Sequence, residues 1–134
     1  MPDQPQPENP EAINPAALAE LAERAAEGPV VMLNLLELKP DGGFERYAEY
    51  GAAVEPLLER AGARILFAGR ASSAVIGPGG WDLVALVEYP TRQAFLDMIG
   101  SEEYLAIAHL RTEGLQRSEL HPLDSLDPAD LPGA

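Results

Sequence analysis

Two side chains of this sequence could move protons. Asp82 begins a predicted strand and His109 lies near the end of a predicted helix, and both residue types serve as general acids or bases. We predict them as the candidate catalytic residues. His109 could instead be an axial ligand if a haem were bound. Each also has a structural interpretation, because an aspartate can cap backbone amides and a histidine is favoured at a helix C-terminus.

A second set of residues could bind a small polar or aromatic ligand. Asn34 interrupts an apolar strand, and burying an amide costs about 1–3 kcal/mol unless it finds a partner or a ligand. Arg70 could hold a carboxylate in a bidentate pair, or form a salt bridge to Asp82 or Glu88. The tyrosines among them could equally be core residues with a solvated hydroxyl. The predicted binding residues are Asn34, Tyr47, Tyr50, Arg70, Trp81, Tyr89, Tyr104 and Arg111.

Composition excludes several other kinds of site. The 134 residues include no cysteine and only two histidines, which are far apart, so we predict no metal site and no cofactor. The chain has no GxGxxG, phosphate-loop, GxSxG or HExxH motif. Its net charge of −13 would repel a polyanion, which disfavours nucleic acid as a partner.

Hydrophobic periodicity predicts the elements that must position these side chains. A short helix between Asn14 and Gly28 precedes the order strand, helix, strand, strand, helix, strand. The last helix is divided at Gly100, and Ser101 caps its second part. A bulge or bend is expected at Gly69 or at Ser72–Ser73. The predicted strands are Val30–Leu38, Ala63–Ile76, Asp82–Tyr89 and Leu115–Leu123.

This order predicts an α+β, ferredoxin-like βαββαβ antiparallel sheet with its helices on one face. The first and third strands are apolar at both alternating sets of positions, so the second face also needs cover. A second copy of the sheet would supply it, which predicts a homodimer formed through the sheet face as a dimeric α/β barrel. The alternative is that an Ala-, Leu- and Val-rich composition produces the pattern by accident.

Several segments resemble a known family. They are PVVMLNLLELK, RAGARILFAGRA, GGWDLVALVEYPTRQAFLDMI and SEEYLAIAHLR, together with the spaced Tyr47 and Tyr50. Over about residues 29–123 the chain resembles domain-of-unknown-function family 1330. That resemblance implies the dimeric α/β-barrel fold but no established reaction. Related superfamilies include antibiotic-biosynthesis and haem-degrading monooxygenases, muconolactone isomerase and stress-responsive barrel proteins, which is an analogy at the level of the fold.

Two functions of different classes remain open. One is a cofactor-free enzyme, monooxygenase- or isomerase-like, that acts on a small polar or aromatic metabolite in a pocket between sheet and helices. The other is a dimeric module that binds a ligand, or serves as an accessory protein, without catalysis. A cavity with convergent polar groups would favour the enzyme, and side chains filling that space would favour the module.

The expected organisation has three parts. Residues 1–28 are a flexible acidic arm with a short helix, residues 29–123 are the domain, and residues 124–134 are an acidic tail. We expect both flanks to be solubilising appendages. The N-terminus lacks a signal sequence and no apolar run is long enough to span a bilayer, so a cytoplasmic protein with no membrane partner is expected.

Overall fold

The computed structural model describes residues 12–132. Its α-helices are α1 (Pro15–Glu23), α2 (Gly43–Arg60), α3 (Arg92–Ile99) and α4 (Glu102–Gly114). Its strands are β1 (Val30–Leu38), β2 (Arg64–Arg70), β3 (Leu83–Tyr89) and β4 (Leu115–Leu123). A short 3-10 helix follows at Pro128–Asp130.

The four strands form one antiparallel sheet in the order β2-β3-β1-β4. β1 and β2 are parallel and are joined through α2, with β3 between them in the sheet. β3 and β4 are likewise parallel and are joined through α3 and α4, with β1 between them. This is the ferredoxin-like βαββαβ arrangement, and the prediction of the fold is confirmed. The cap predicted at Ser101 is present, because Ser101 accepts from Tyr104 N at 3.1 Å, and Asn14 caps α1 by accepting from Ala16 N at 3.0 Å.

One face of the sheet is buried under the helices. Val30, Met32 and Leu36 of β1 are at most 1% exposed and point to this side. Val30 and Met32 join a single apolar core with residues of α2 and α3, including Val54 and Phe95. Because side chains alternate along a strand, the intervening residues of β1 must point to the other side.

The other face is apolar and is not covered by residues 12–132. Phe67 there is 57% exposed, and Leu33 and Leu35 are partly exposed. Register fixes which residues share it, because directly paired residues of neighbouring strands point the same way. We call it the open face, and its apolar members are Val31, Leu33, Leu35, Phe67, Val84, Leu86 and Leu123.

The predicted second strand was too long. β2 ends at Arg70 rather than Ile76, because β3 begins only at Leu83 and leaves residues 71–82 without a strand to pair with. The bulge of β2 lies between Ile65 and Phe67 and not at Gly69, whereas a bend is present at Ser73, beyond the end of the strand. Residues 71–80 form a loop, and Gly77, Gly79 and Gly80 within it have φ of 99°, 68° and 97°, a conformation that favours glycine.

The flanking segments are not simple appendages. Arg92 at the start of α3 is only 3% exposed, donates to the Glu27 carbonyl oxygen at 3.2 Å and pairs with Asp124. Arg24 pairs with the same carboxylate at 2.9 Å. Asp124 therefore joins the segment after α1 and the C-terminal segment to the domain. The proposed arm at residues 1–11 lies outside the described residues.

The Asp124 carboxylate gives this docking a pH dependence. Hydrogen bonds from Arg24 and then Arg92 hold the pKa of Asp124 below its ordinary value. A lowered folded-state pKa stabilises the protein at neutral pH, and the stabilisation is lost as the pH falls through that pKa. We expect Asp124→Asn to lower Tm at pH 7 and to match the wild type at a pH below the folded-state pKa.

Thermal melts of both proteins from pH 7 to pH 2 would measure this difference. Asp130→Asn is the control, because within residues 12–132 the Asp130 side chain forms no ion pair. A Tm difference for Asp124→Asn that stays constant across the range would contradict the assignment.

Candidate functional site

Four tyrosines converge between the sheet and the helices. Tyr47 and Tyr50 lie one turn apart on α2, Tyr104 lies on α4 and Tyr89 ends β3. The Tyr50 ring is 5.5 Å from the Tyr47 ring and 6.2 Å from the Tyr104 ring, centroid to centroid. The hydroxyls of Tyr50 and Tyr104 share a hydrogen bond of 2.9 Å. We call these four residues the tyrosine cluster.

A buried arginine and an amide adjoin the tyrosine cluster. Arg111 of α4 is 8% exposed, and its guanidinium carbon lies 5.9 Å from the Tyr50 ring centroid. Its Nη2 donates to Asn34 Oδ1 at 3.1 Å, and Asn34 Nδ2 donates to the Met32 carbonyl oxygen at 3.4 Å. The polar residue inside β1 is therefore satisfied, and it orients a cation towards the aromatic rings.

Burial sets the protonation states here. Desolvation raises the pKa of Tyr47 to about 12 and also raises the pKa values of the other three phenols. Desolvation lowers the pKa of Arg111 to about 10, which leaves it a cation at neutral pH. The site therefore presents neutral hydroxyls and one positive charge, all of which can donate hydrogen bonds.

Two of the phenols have hydroxyls available to a ligand. Within residues 12–132 the hydroxyls of Tyr47 and Tyr89 form no hydrogen bond to protein. No fully buried side-chain oxygen or nitrogen in that range lacks a partner, so these two hydroxyls retain access to solvent. A water molecule can therefore contact these two hydroxyls.

Asp82 and Arg70 lie elsewhere, at the end of β1. The Asp82 carboxylate accepts from the Leu38 amide at 2.8 Å and so caps a strand end. The Arg70 guanidinium carbon lies 5.8 Å from the Phe44 ring centroid, and Glu88 pairs with Arg64 instead. Both residues line a surface cavity of about 520 Å³. The structure brings them together but not to the tyrosine cluster.

His109 and Trp81 are separate from both groups. His109 is exposed on α4, and two residues along a helix turn it about 200° away from Arg111. Trp81 stacks under Arg117, with 3.9 Å between the guanidinium carbon and the ring centroid. The site predicted around His109, Asp82 and the tyrosines is therefore divided among three places.

Arg92 and Arg117 were not among the functional residues predicted from the sequence. Arg117 lies on β4 in a run with weak alternation, and nothing in that run indicates that Trp81 folds over it. Among residues 12–132, no group of three or more histidine, aspartate or glutamate side chains is arranged to hold a metal ion. In the same range, none of the helices has the length and apolar character needed to cross a bilayer.

Comparisons with known proteins agree with the fold. The sequence profile of a family described as Domain of unknown function (DUF1330) matches residues 43–120. A solved protein of unknown function from Rhodopseudomonas palustris is 33% identical, with a TM-score of 0.79 over 87% of this chain and 97% of that chain. No curated protein matches the sequence.

More distant structures share the fold. A dimeric ferredoxin-like protein of unknown function from Bacteroides fragilis is 14% identical, with a TM-score of 0.54 over 75% of this chain and 99% of that chain. Another dimeric ferredoxin-like protein of unknown function, from a Jannaschia species, is 13% identical, with a TM-score of 0.61 over 73% and 100% of the two chains. Fold likeness at these identities does not specify a ligand or a reaction.

Proposed function

Since the chain belongs to the DUF1330 family of domains of unknown function, we propose a function from its geometry: a homodimer in which each copy binds a small oxygen-rich metabolite at the tyrosine cluster. The convergence of four phenols, Arg111 and Asn34 on one point between the sheet and the helices is the observation that supports it.

The open face supports the homodimer. A contiguous apolar surface of this kind is rarely left in water. Burying it stabilises the assembly by about 25 cal/mol for each Å² of apolar surface. Its charged residues pair within the chain, Arg64 with Glu88 at 2.8 Å and Arg117 with Glu37 at 3.1 Å, and on β4 the Glu119 carboxylate lies 2.8 Å from His121. These pairs reduce the repulsion that a second copy of this acidic chain would meet there. Two solved structures with the same fold are described as dimeric.

The donors support an oxygen-rich ligand. Tyr47 and Tyr89 offer hydroxyl protons, and Arg111 adds positive charge to the same region. A carboxylate or a polarised carbonyl oxygen accepts from such groups, and an aromatic body would pack against the rings. A small aromatic or polar carboxylate therefore fits this site best.

The same arrangement favours binding over acid–base catalysis. The phenols stay protonated at neutral pH, which makes them poor bases. Asp82 is engaged with the Leu38 amide, and His109 lies on the exposed side of α4. Neither predicted proton carrier is placed to act on a ligand at the tyrosine cluster. We therefore prefer the non-catalytic ligand-binding module to the enzyme.

Tyr47→Phe tests the ligand site, because it removes one hydroxyl and keeps the ring. We expect benzoate, used as a probe, to bind the wild type more tightly than its neutral analogue benzamide. Losing one hydrogen bond worth about 1 kcal/mol should weaken benzoate binding about 5- to 10-fold and leave the fold unchanged. Isothermal titration calorimetry measures the binding, and circular dichroism checks the fold.

His109→Ala is the matched comparison. The exposed His109 should leave benzoate affinity unchanged. If His109→Ala weakens binding and Tyr47→Phe does not, the ligand site is wrongly placed. If a panel of small aromatic and aliphatic carboxylates leaves the Tm and the titration signal of the wild type unchanged, the proposed ligand class is wrong.

A further inference from the structure

The loop at residues 71–80 exposes two adjacent apolar side chains. Val75 is 97% exposed and Ile76 is 93% exposed, the highest values among the large apolar residues of the described chain. Single exposed apolar residues are common on protein surfaces. Two adjacent ones at a loop tip, with almost no contact to their own chain, indicate a surface that another molecule covers.

The base of this loop is fixed to the open-face side of the sheet. Arg117 stacks on Trp81 at 3.9 Å, donates to the Gly79 carbonyl oxygen at 3.3 Å and pairs with Glu37 at 3.1 Å. Glu37 and Arg117 are paired in register and point the same way as Leu35. Backbone bonds from Asp82 N to Leu36 O at 2.8 Å and from Ala71 N to Asp82 O at 2.9 Å close the loop.

Such a loop adds apolar surface beside the open face and does not cover that face. Its anchor, Arg117 with Glu37, stands at the margin of that face, and Arg117 also holds the Gly79 carbonyl oxygen, so the base of the loop that carries Val75 and Ile76 lies at this margin. A molecule that packs on the open face is therefore adjacent to the base of this loop. A second copy is the occupant that fits, because the charges at the junction are paired within one chain and two solved structures with the same fold are described as dimeric.

We propose that the 71–80 loop is a clasp in the homodimer, each copy packing Val75 and Ile76 against the other. This inference rests on the proposed homodimer. Two-fold symmetry makes each contact occur twice, so four apolar side chains leave water when one dimer forms.

The double substitution Val75→Ser with Ile76→Ser tests the clasp. Since neither side chain supports its own chain, circular dichroism and the monomer fold should be unchanged. Loss of four apolar contacts should raise the dimer dissociation constant about 100-fold or more, as measured by sedimentation equilibrium. Leu105→Ser is the control, because Leu105 is 64% exposed on α4, away from the open face, and should leave that constant unchanged.

The outcomes separate the two proposals. A wild-type chain that stays monomeric at all concentrations overturns both the homodimer and the clasp. A wild-type dimer whose dissociation constant is unchanged in the double variant overturns the clasp alone and leaves the homodimer standing. A weakened dimer with an unchanged Leu105→Ser control supports the clasp.

A labelling experiment gives a second measurement. The chain has no cysteine, so Ile76→Cys and Leu105→Cys each introduce one thiol without background. In a dimer closed by the clasp, maleimide should modify position 76 more slowly than it does after dilution to monomer, whereas the rate at position 105 should not depend on dilution. A rate at position 76 that is the same in monomer and in a dimer shown by sedimentation would overturn the clasp.

Discussion

Val84→Glu is expected to convert the homodimer into a folded monomer. Val84 lies at the centre of the open face, paired in register with Leu35 of β1 and Gly69 of β2. In a dimer each copy would bury one unpaired carboxylate, and each burial costs several kcal/mol. Two such costs should raise the dimer dissociation constant more than about 1000-fold. Light scattering measures the mass, and circular dichroism measures the fold.

Leu83→Glu is the matched control on the other face. Leu83 is half-buried and pairs with Leu36, which is 1% exposed beneath the helices, so the same substitution places a charge on the helix side of the sheet. We expect Leu83→Glu to lower Tm without shifting the dimer dissociation constant. If Val84→Glu keeps the mass of a dimer, the open face is not where two copies meet.

Gly114→Ala is expected to destabilise the fold by about 2–3 kcal/mol. A Cβ at Gly114 would lie 2.9 Å from both the Gly43 carbonyl oxygen and the Tyr47 amide nitrogen. Those are backbone atoms at the crossing of α4 with α2, so they can be relieved only by separating the two helices. For a chain of this size the cost corresponds to a Tm lower by roughly 10 °C.

Gly51→Ala in α2 is expected to have the opposite effect on the stability of the fold. No atom lies within 4 Å of a Cβ built there, and the position is exposed. Replacing glycine by alanine inside a helix should stabilise the protein by about 0.5–1 kcal/mol. Calorimetric melts of both variants measure the contrast. If Gly114→Ala melts with the wild type, α2 and α4 do not depend on that close approach.

Most of the fold could be predicted from the sequence because the hydrophobic periodicities of its segments are strong. Runs such as Val30–Leu38 and Asp82–Tyr89 read as strands, and caps such as Ser101 mark helix starts. The sequence could not show which of the two alternating sets of strand positions faces outward, since Leu83 and Val84 are equally apolar. Packing decides it, through the register that places Leu83 beside Leu36. The run from Ala71 to Ile76 resembles a strand but has no neighbour to pair with.

The candidate site could be predicted only in part, because it depends on which side of each helix or strand a residue lies. Asn34, Arg111 and the four tyrosines meet because each lies on the side of its element that faces the other layer. His109 and Arg111 belong to the same helix, and only one of two residues spaced by two can face the sheet. Asp82 was singled out for its chemistry, whereas its carboxylate closes the end of β1. Contacts between distant segments, such as Arg92 with Asp124, have no local signal.

Trp81 has a consequence for how the protein can be studied. It is the sole indole of the chain, and it lies against the Arg117 guanidinium at the margin of the open face. Indole emission responds to the polarity and quenching groups around the ring. The molecule therefore carries its own unlabelled optical reporter at the place where two copies would meet.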